Sequence, residues 1–188
     1  MKRVKVVFLD RDGVINKYPG HGKYVTSAKE FRLIKGVVRA IKILKDAGYR
    51  LFVISNQAGV AKGLYSKDDL RKMDNLLKEE LKKVNTSIDE IYYCTHTKEQ
   101  NCICRKPKLG LINRARCFLK KKREIMDRKN SFFIGDSLVD IETARKAKVK
   151  SILVFSGKEQ KKNLLSLPVQ PDFTAQNLAE AVRIIVKQ

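Results

Sequence analysis

The chain has 188 residues, 43% of them apolar, which suffices for one sizeable hydrophobic core and not for two. Its apolar runs are only a few residues long, far short of a bilayer span, and the short stretch after Met1-Lys2-Arg3 is broken by Lys5, so neither a membrane helix nor a signal peptide is expected. The net charge of +21 favours anionic ligands without identifying one, since a basic surface attracts anions indiscriminately.

No repeat, low-complexity tract or Pro/Gly/Ser-rich linker divides the chain, so one domain over residues 1–188, in the cytoplasm and monomeric, is expected. Val4 to Leu9 is a short β-branched run ending in Asp10-Arg11-Asp12-Gly13, which suits a strand buried on both faces. Gly36 to Ala47 is predicted as a helix with Val37, Ala40, Ile41 and Leu44 on one stripe and Gly48 as its stop. Leu51 to Ile54 is a second strand, leading into Ser55-Asn56-Gln57. Ser66 then caps a helix striped by Leu70, Met73, Leu77, Leu81 and Val84.

Ile88 to Tyr93 reads as a strand, followed by a cysteine-containing loop and a helix around Leu111, Ala115 and Leu119. Lys120-Lys121-Lys122-Arg123 forms the solvated end of that helix, and Cys117 is expected in its core face. Ser131 to Ile134 is a strand ending at Gly135-Asp136. A helix over Val139 to Ala147, a last strand over Ser151 to Phe155 and a helix over Gln176 to Val186 complete the chain. This alternation predicts an α/β fold, a Rossmann-like parallel sheet with helices on both faces. Ligands of such sheets bind beyond the carboxyl ends of the strands, where Asp10, Ser55, Cys94 and Asp136 all fall.

Asp10 and Asp12 lie two residues apart at a strand end, so both carboxylates can face one ligand. With Asp136, and Asp140 one helical turn beyond it, they would repel one another unless a cation sat among them. Oxygen-only ligation suits Mg²⁺. Taken singly, each aspartate could equally cap a helix or fill a turn. Their order at successive strand ends favours chemistry. Phosphate monoesters hydrolyse very slowly unaided, and a covalent aspartyl-phosphate with a metal to neutralise charge is one solution.

Asp10-Arg11-Asp12-Gly13-Val14-Ile15-Asn16 resembles the first motif of the haloacid dehalogenase superfamily. Ser55-Asn56-Gln57 is similar to its second motif, Lys106 in Arg105-Lys106-Pro107 to its third, and Gly135-Asp136-Ser137 with Asp140 to its fourth. The resemblance implies a Mg²⁺-dependent phosphoric monoester hydrolase. Asp10 would attack phosphorus. Asp12 would protonate the leaving alcohol and then activate water, and Ser55 and Lys106 would hold the phosphoryl oxygens. Mg²⁺ would sit between Asp10, Asp136 and the backbone carbonyl of Asp12.

Cys94, His96, Cys102 and Cys104 form a C-x-H-x(5)-C-x-C array. In a cytosolic chain such clustering argues for a closed structural Zn²⁺ site rather than disulfides. Pinning this loop would fix the adjacent Arg105 and Lys106. The array resembles the branch holding the heptose 1,7-bisphosphate 7-phosphatases and the histidinol-phosphate phosphatases. Val60-Ala61-Lys62-Gly63 and the stretch Asn16 to Val25, with Tyr24, look like the heptose enzymes, whereas the short zinc loop looks like the histidinol-phosphate ones. The heptose reading is favoured. Asn56, Gln57, Arg105 and Tyr24 are then expected at the substrate, with Arg105, Lys17 and Lys23 toward a remote phosphate. No cap insertion is visible, so the site should be open to a small phosphorylated metabolite. A nucleic-acid 3′-phosphatase or binding protein is less favoured, because 7% aromatic content provides no stacking series.

Overall fold

The computed structural model describes residues 1–188. Lys5 divides the predicted first strand: β1 spans Lys2–Val4 and β2 spans Val6–Leu9. The remaining strands are β3 (Arg50–Asn56), β4 (Glu90–Cys94), β5 (Glu124–Met126), β6 (Phe132–Gly135), β7 (Lys150–Val154) and β8 (Phe173–Ala175). Six of them form one parallel sheet in the order β4-β3-β2-β6-β7-β8. Phe8 lies between Phe52 and Phe133, so β2 is central and its carboxyl end opens at mid-sheet. β1 leaves this sheet to pair in parallel with β5, forming a separate two-stranded ribbon at the amino ends of the main strands.

Side chains alternate across the sheet as a strand period of two requires. Val7, Leu9, Leu51 and Val53 face one core, which α1 (Val37–Asp46), α2 (Lys67–Lys82) and α5 (Leu178–Val186) cover. Val6, Phe8, Phe52 and Ile54 face a second core under α3 (Gly110–Lys121) and α4 (Leu138–Ala147). In α2 the predicted stripe holds at Leu70, Met73, Leu77 and Leu81, whereas Val84 falls beyond the helix end, and Ser66 closes a capping box with Asp69 at its start.

Two expectations are corrected here. The strand over 150–154 is not the last, since β8 adds an edge beyond it. Cys117 is exposed: α3 buries Leu111, Ile112, Ala115 and Leu119, and position 117 turns about 200° away from Ala115 at 100° per residue.

Candidate active site

Asp10 follows β2 directly, and its amide still donates to the Ile134 carbonyl (3.0 Å), so the sheet holds its backbone. Its carboxylate accepts from the Arg11 amide at 2.7 Å and lies 3.0 Å from the Lys106 ammonium. Lys106 Nζ also donates to Asp140 Oδ1 at 2.6 Å. The other Asp140 oxygen accepts from the Ser137 hydroxyl (2.6 Å) at the start of α4, so both of its oxygens are engaged. Asp136, at the end of β6, completes a set in which carboxylate oxygens of Asp10, Asp136 and Asp140 lie within 4.8 Å of one another.

A loop that sequence reasoning missed orients Asp136. The Lys158 amide donates to Asp136 Oδ2 at 2.8 Å, and the Glu159 amide donates to its carbonyl at 2.9 Å. The carboxylate fits between two glycines. A Cβ on Gly13 (φ +81°) would lie 2.2 Å from Asp136 Oδ2, and one on Gly157 would lie 2.0 Å from it. Neither position can carry a side chain without displacing Asp136.

The electrostatics call for a cation. Burial pushes the Asp10 carboxyl up to about 6, with the Lys106 ammonium pulling the other way. Burial and the neighbouring Asp10 and Asp140 charges raise Asp136 well above the ordinary carboxylate range. Lys106 is itself held protonated, because the two carboxylates outweigh its burial. Asp10 and Asp136 keep lone pairs free, and the Asp12 carbonyl accepts no backbone hydrogen bond. That donor set is all oxygen and fits a hard divalent cation.

Asp12 is oriented by four donors on three side chains. Arg11 Nε and Nη2 reach it at 3.0–3.2 Å, and the Asn16 and Gln57 amides each donate at 2.8 Å. Arg11 is 1% exposed, its charge neutralised by Asp12 and its far side against Tyr93 and Met73. Gln57 is held in turn by the Tyr65 hydroxyl, which donates to Gln57 Oε1 at 2.6 Å. Arg11, Asn16 and Tyr65 went unrecognised as site residues, and only the position of Arg11 between two catalytic candidates could have signalled it.

Asp10, Asp12, Tyr24, Ser55, Asn56, Lys106 and Asp136 line one cavity of about 270 Å³, walled by the 18–24 loop with Lys23. Four further residues expected at or toward the substrate are Gln57, Asn56, Arg105 and Lys17. Gln57 is 1% exposed, and its amide is spent on Asp12, Ser55 and Tyr65. Asn56 borders the cavity but spends its amide on the Lys106 backbone, accepting from its N–H (3.0 Å) and donating to its carbonyl (3.2 Å). Arg105 donates to the His96 carbonyl at 3.1 Å and lines an adjoining groove, not the cavity. Lys17 does not line the cavity either.

The second donor cluster lies beside the first. Cys94 ends β4, and the following loop brings His96, Cys102 and Cys104 to it. The sulfurs are 3.2–3.5 Å apart, and His96 Nδ1 is 3.2 Å from Cys104 Sγ. All three cysteines are free. Burial pushes the Cys94 thiol up to about 12, whereas Cys102 is brought down to about 6, because donation from Cys104 and Cys94 outweighs its burial. Three crowded thiols cannot all ionise without a cation, and three sulfurs with one imidazole fit tetrahedral Zn²⁺.

An open parallel sheet with an aspartate cluster at its central carboxyl end provides a metal-assisted phosphoryl site where α/β folds bind their ligands. Residues 5–162 match the family described as polynucleotide kinase 3 phosphatase. The chain is 38% identical over 189 residues to D-glycero-D-manno-heptose-1,7-bisphosphate 7-phosphatase of Chlorobaculum tepidum, covering 97% of this chain and 94% of that one. It is 39% identical over 155 residues to D-glycero-beta-D-manno-heptose-1,7-bisphosphate 7-phosphatase of Helicobacter pylori, covering 82% of this chain and 85% of the relative. Its fold is similar to the crystal structure of D,D-heptose 1,7-bisphosphate phosphatase from B. bronchiseptica complexed with magnesium and phosphate (TM-score 0.85, 27% identity, 98% of this chain and 99% of that one). The chain belongs to the haloacid dehalogenase superfamily of phosphatases, in the branch of the heptose 1,7-bisphosphate 7-phosphatases and histidinol-phosphate phosphatases. No helix is long and apolar enough to cross a membrane.

Proposed function

We propose that the chain is a Mg²⁺-dependent D-glycero-D-manno-heptose 1,7-bisphosphate 7-phosphatase, acting in the cytoplasm as a single-domain monomer. The observation that carries this reading is the convergence of Asp10, Asp12 and Asp136 on one uncovered cavity, in a chain similar to such an enzyme over 97% of its length. Asp10 Oδ attacks phosphorus as the bond to the sugar oxygen breaks, and Asp12 gives that oxygen its proton. Asp12 then takes a proton from water, which attacks the phosphorus and returns Asp10 as a carboxylate. Ser55 and Lys106 hold the phosphoryl oxygens. Asp10, Asp136 and the Asp12 carbonyl would hold Mg²⁺, which when bound neutralises phosphoryl charge. Asn56 and Gln57 act as positioning residues, Asn56 on Lys106 and Gln57 on Asp12. Zn²⁺ on Cys94, His96, Cys102 and Cys104 would be structural.

Lys23 and Lys158 support a substrate with a second phosphate, since they add cations to the cavity wall from loops other than that of Lys106. Histidinol phosphate has a cationic amine there instead. A second reading, a phosphatase of polynucleotide ends, draws on the description of the matched family and on the +21 charge. Steady-state kinetics with Mg²⁺ on both anomers of the heptose bisphosphate, histidinol phosphate and a 3′-phosphorylated oligonucleotide tests all three. A kcat/KM at least tenfold higher for a heptose bisphosphate is expected, and a preference for either other substrate overturns the assignment.

A further inference from the structure

A cavity of about 500 Å³, larger than the catalytic one, lies at the opposite end of the sheet. The β1–β5 ribbon, the 3₁₀ turn over Arg128–Asn130 and the last turns of α3 enclose it. Five cations line it, Arg3, Arg116, Lys120, Arg128 and Lys129, and none forms an ion pair. Of its two carboxylates, Glu124 is spent on Arg50, which donates to it at 2.9 and 2.5 Å. Asp127 accepts from Asn130 at 2.8 Å.

Arg116 alone of the five has a buried donor without a partner. Its terminal nitrogens donate to Asn113 (2.9 Å) and the Ala147 carbonyl (3.3 Å), but its buried Nε has no partner. Such unpaired buried donors are uncommon and call for an explanation. Burial and the neighbouring Arg128 charge push its guanidinium down, a mark of like charges crowded without a counter-ion. Leu119, Ile125 and Met126 supply an apolar wall, with Ile125 51% exposed. The carboxyl end of α3 opposes an anion with only about half a charge, which five full charges outweigh.

We propose that this cavity is a second ligand site, taking a small organic phosphate whose anionic end meets Arg116 and Arg128 and whose apolar body lies on Leu119, Ile125 and Met126. Its volume falls within the ~300–1,000 Å³ of small-molecule sites. Arginines suit the anion because a planar guanidinium grips phosphate oxygens in pairs.

Methionine methyl NMR tests this, because the three methionines divide between the sites. Met1 and Met126 line this cavity, whereas Met73 lies under Arg11 beside the catalytic one. ATP, pyrophosphate and inorganic phosphate are titrated into magnesium-free, zinc-replete protein. Saturable shifts of the Met126 and Met1 methyls are expected, with ATP binding more tightly than pyrophosphate. Arg116→Gln or the more exposed Lys120→Gln should each weaken ATP by about tenfold, the loss of one charge-assisted contact. Lys67→Gln and Lys78→Gln, which remove exposed charges from α2, should change it less than twofold. The proposal is overturned if only Met73 responds, if all four variants weaken ATP equally, or if a single-stranded oligonucleotide moves Met126 and ATP does not.

Discussion

Asp10 and Asp136 face an open cavity, with the buried Asp140 and a lysine ammonium beside them, whereas Cys94, His96, Cys102 and Cys104 face one another. Both clusters occupy the carboxyl end of the same sheet, and both gather like donors that repel without a cation. The oxygen donors leave lone pairs directed at a ligand. The sulfur donors form a closed set that leaves no position for one. The difference is the one expected between a metal site for turnover and a metal site for shape. Cys104 and Lys106 join the two sites, being separated only by Arg105, so the closed site holds the backbone from which the open one takes its cation.

The largest effect should fall on the open cluster alone. Asp10→Asn is nearly isosteric and cannot attack phosphorus, so turnover should fall by about 10⁴-fold or more, in the range of other lost covalent nucleophiles. Zinc content and far-UV circular dichroism should not change. Activity within tenfold of the parent would remove Asp10 from the nucleophile role.

Breaking the closed cluster should act mainly on stability. Cys102→Ser should lose the metal measured by elemental analysis and about 3–5 kcal/mol of stability, as expected when a structural ion loses a ligand. For a chain of this length that is roughly 6–20 °C in Tm. Protein purified without chelators that contains no zinc would sink the assignment, as would an unchanged Tm.

Asn56 bridges the two regions, and its removal should produce a smaller effect. Its amide makes both backbone hydrogen bonds of Lys106 to β3. Asn56→Ala should lower kcat by about 10- to 100-fold, the usual cost of losing an orienting partner, with a Tm loss well below that of Cys102→Ser. A change confined to KM would instead return Asn56 to a direct role at the substrate.

The strand ends that carry Asp10, Ser55, Cys94 and Asp136 were legible because buried parallel strands are short β-branched runs closed by turn residues. The convergence of Cys94, His96, Cys102 and Cys104 was legible because thiols and a histidine rarely cluster by chance. The loop over 156–159 was not, since backbone amides hold Asp136 and leave no side-chain signature. β8 is three residues long, too short to show a period. Gln57 and Asn56 lay within a recognisable motif, yet nothing in their order revealed that Tyr65 and Lys106 would consume their amides. Cys117 was misplaced by two positions' worth of rotation around α3.

The smallest expected effect separates the two clusters by pH. Burial raises the Asp10 carboxyl to about 6, above the ~3.9 of an unfolded aspartate. The metal-free folded state therefore binds that proton more tightly than the unfolded one, and stability falls as pH rises from about 4 to about 6. An amide at this position does not ionise and escapes the loss. In magnesium-free buffer with zinc retained, Asp10→Asn should match the parent near pH 4 and exceed it by about 1–3 kcal/mol above pH 7. Adding Mg²⁺ should close the gap from the parent's side, because the ion binds the folded carboxylate and stabilises it by mass action. Denaturant titrations at several pH values measure the difference. A variant less stable than the parent at pH 7.5 would mean that attraction to Lys106 outweighs burial, and that the nucleophile is held ionised before any metal arrives.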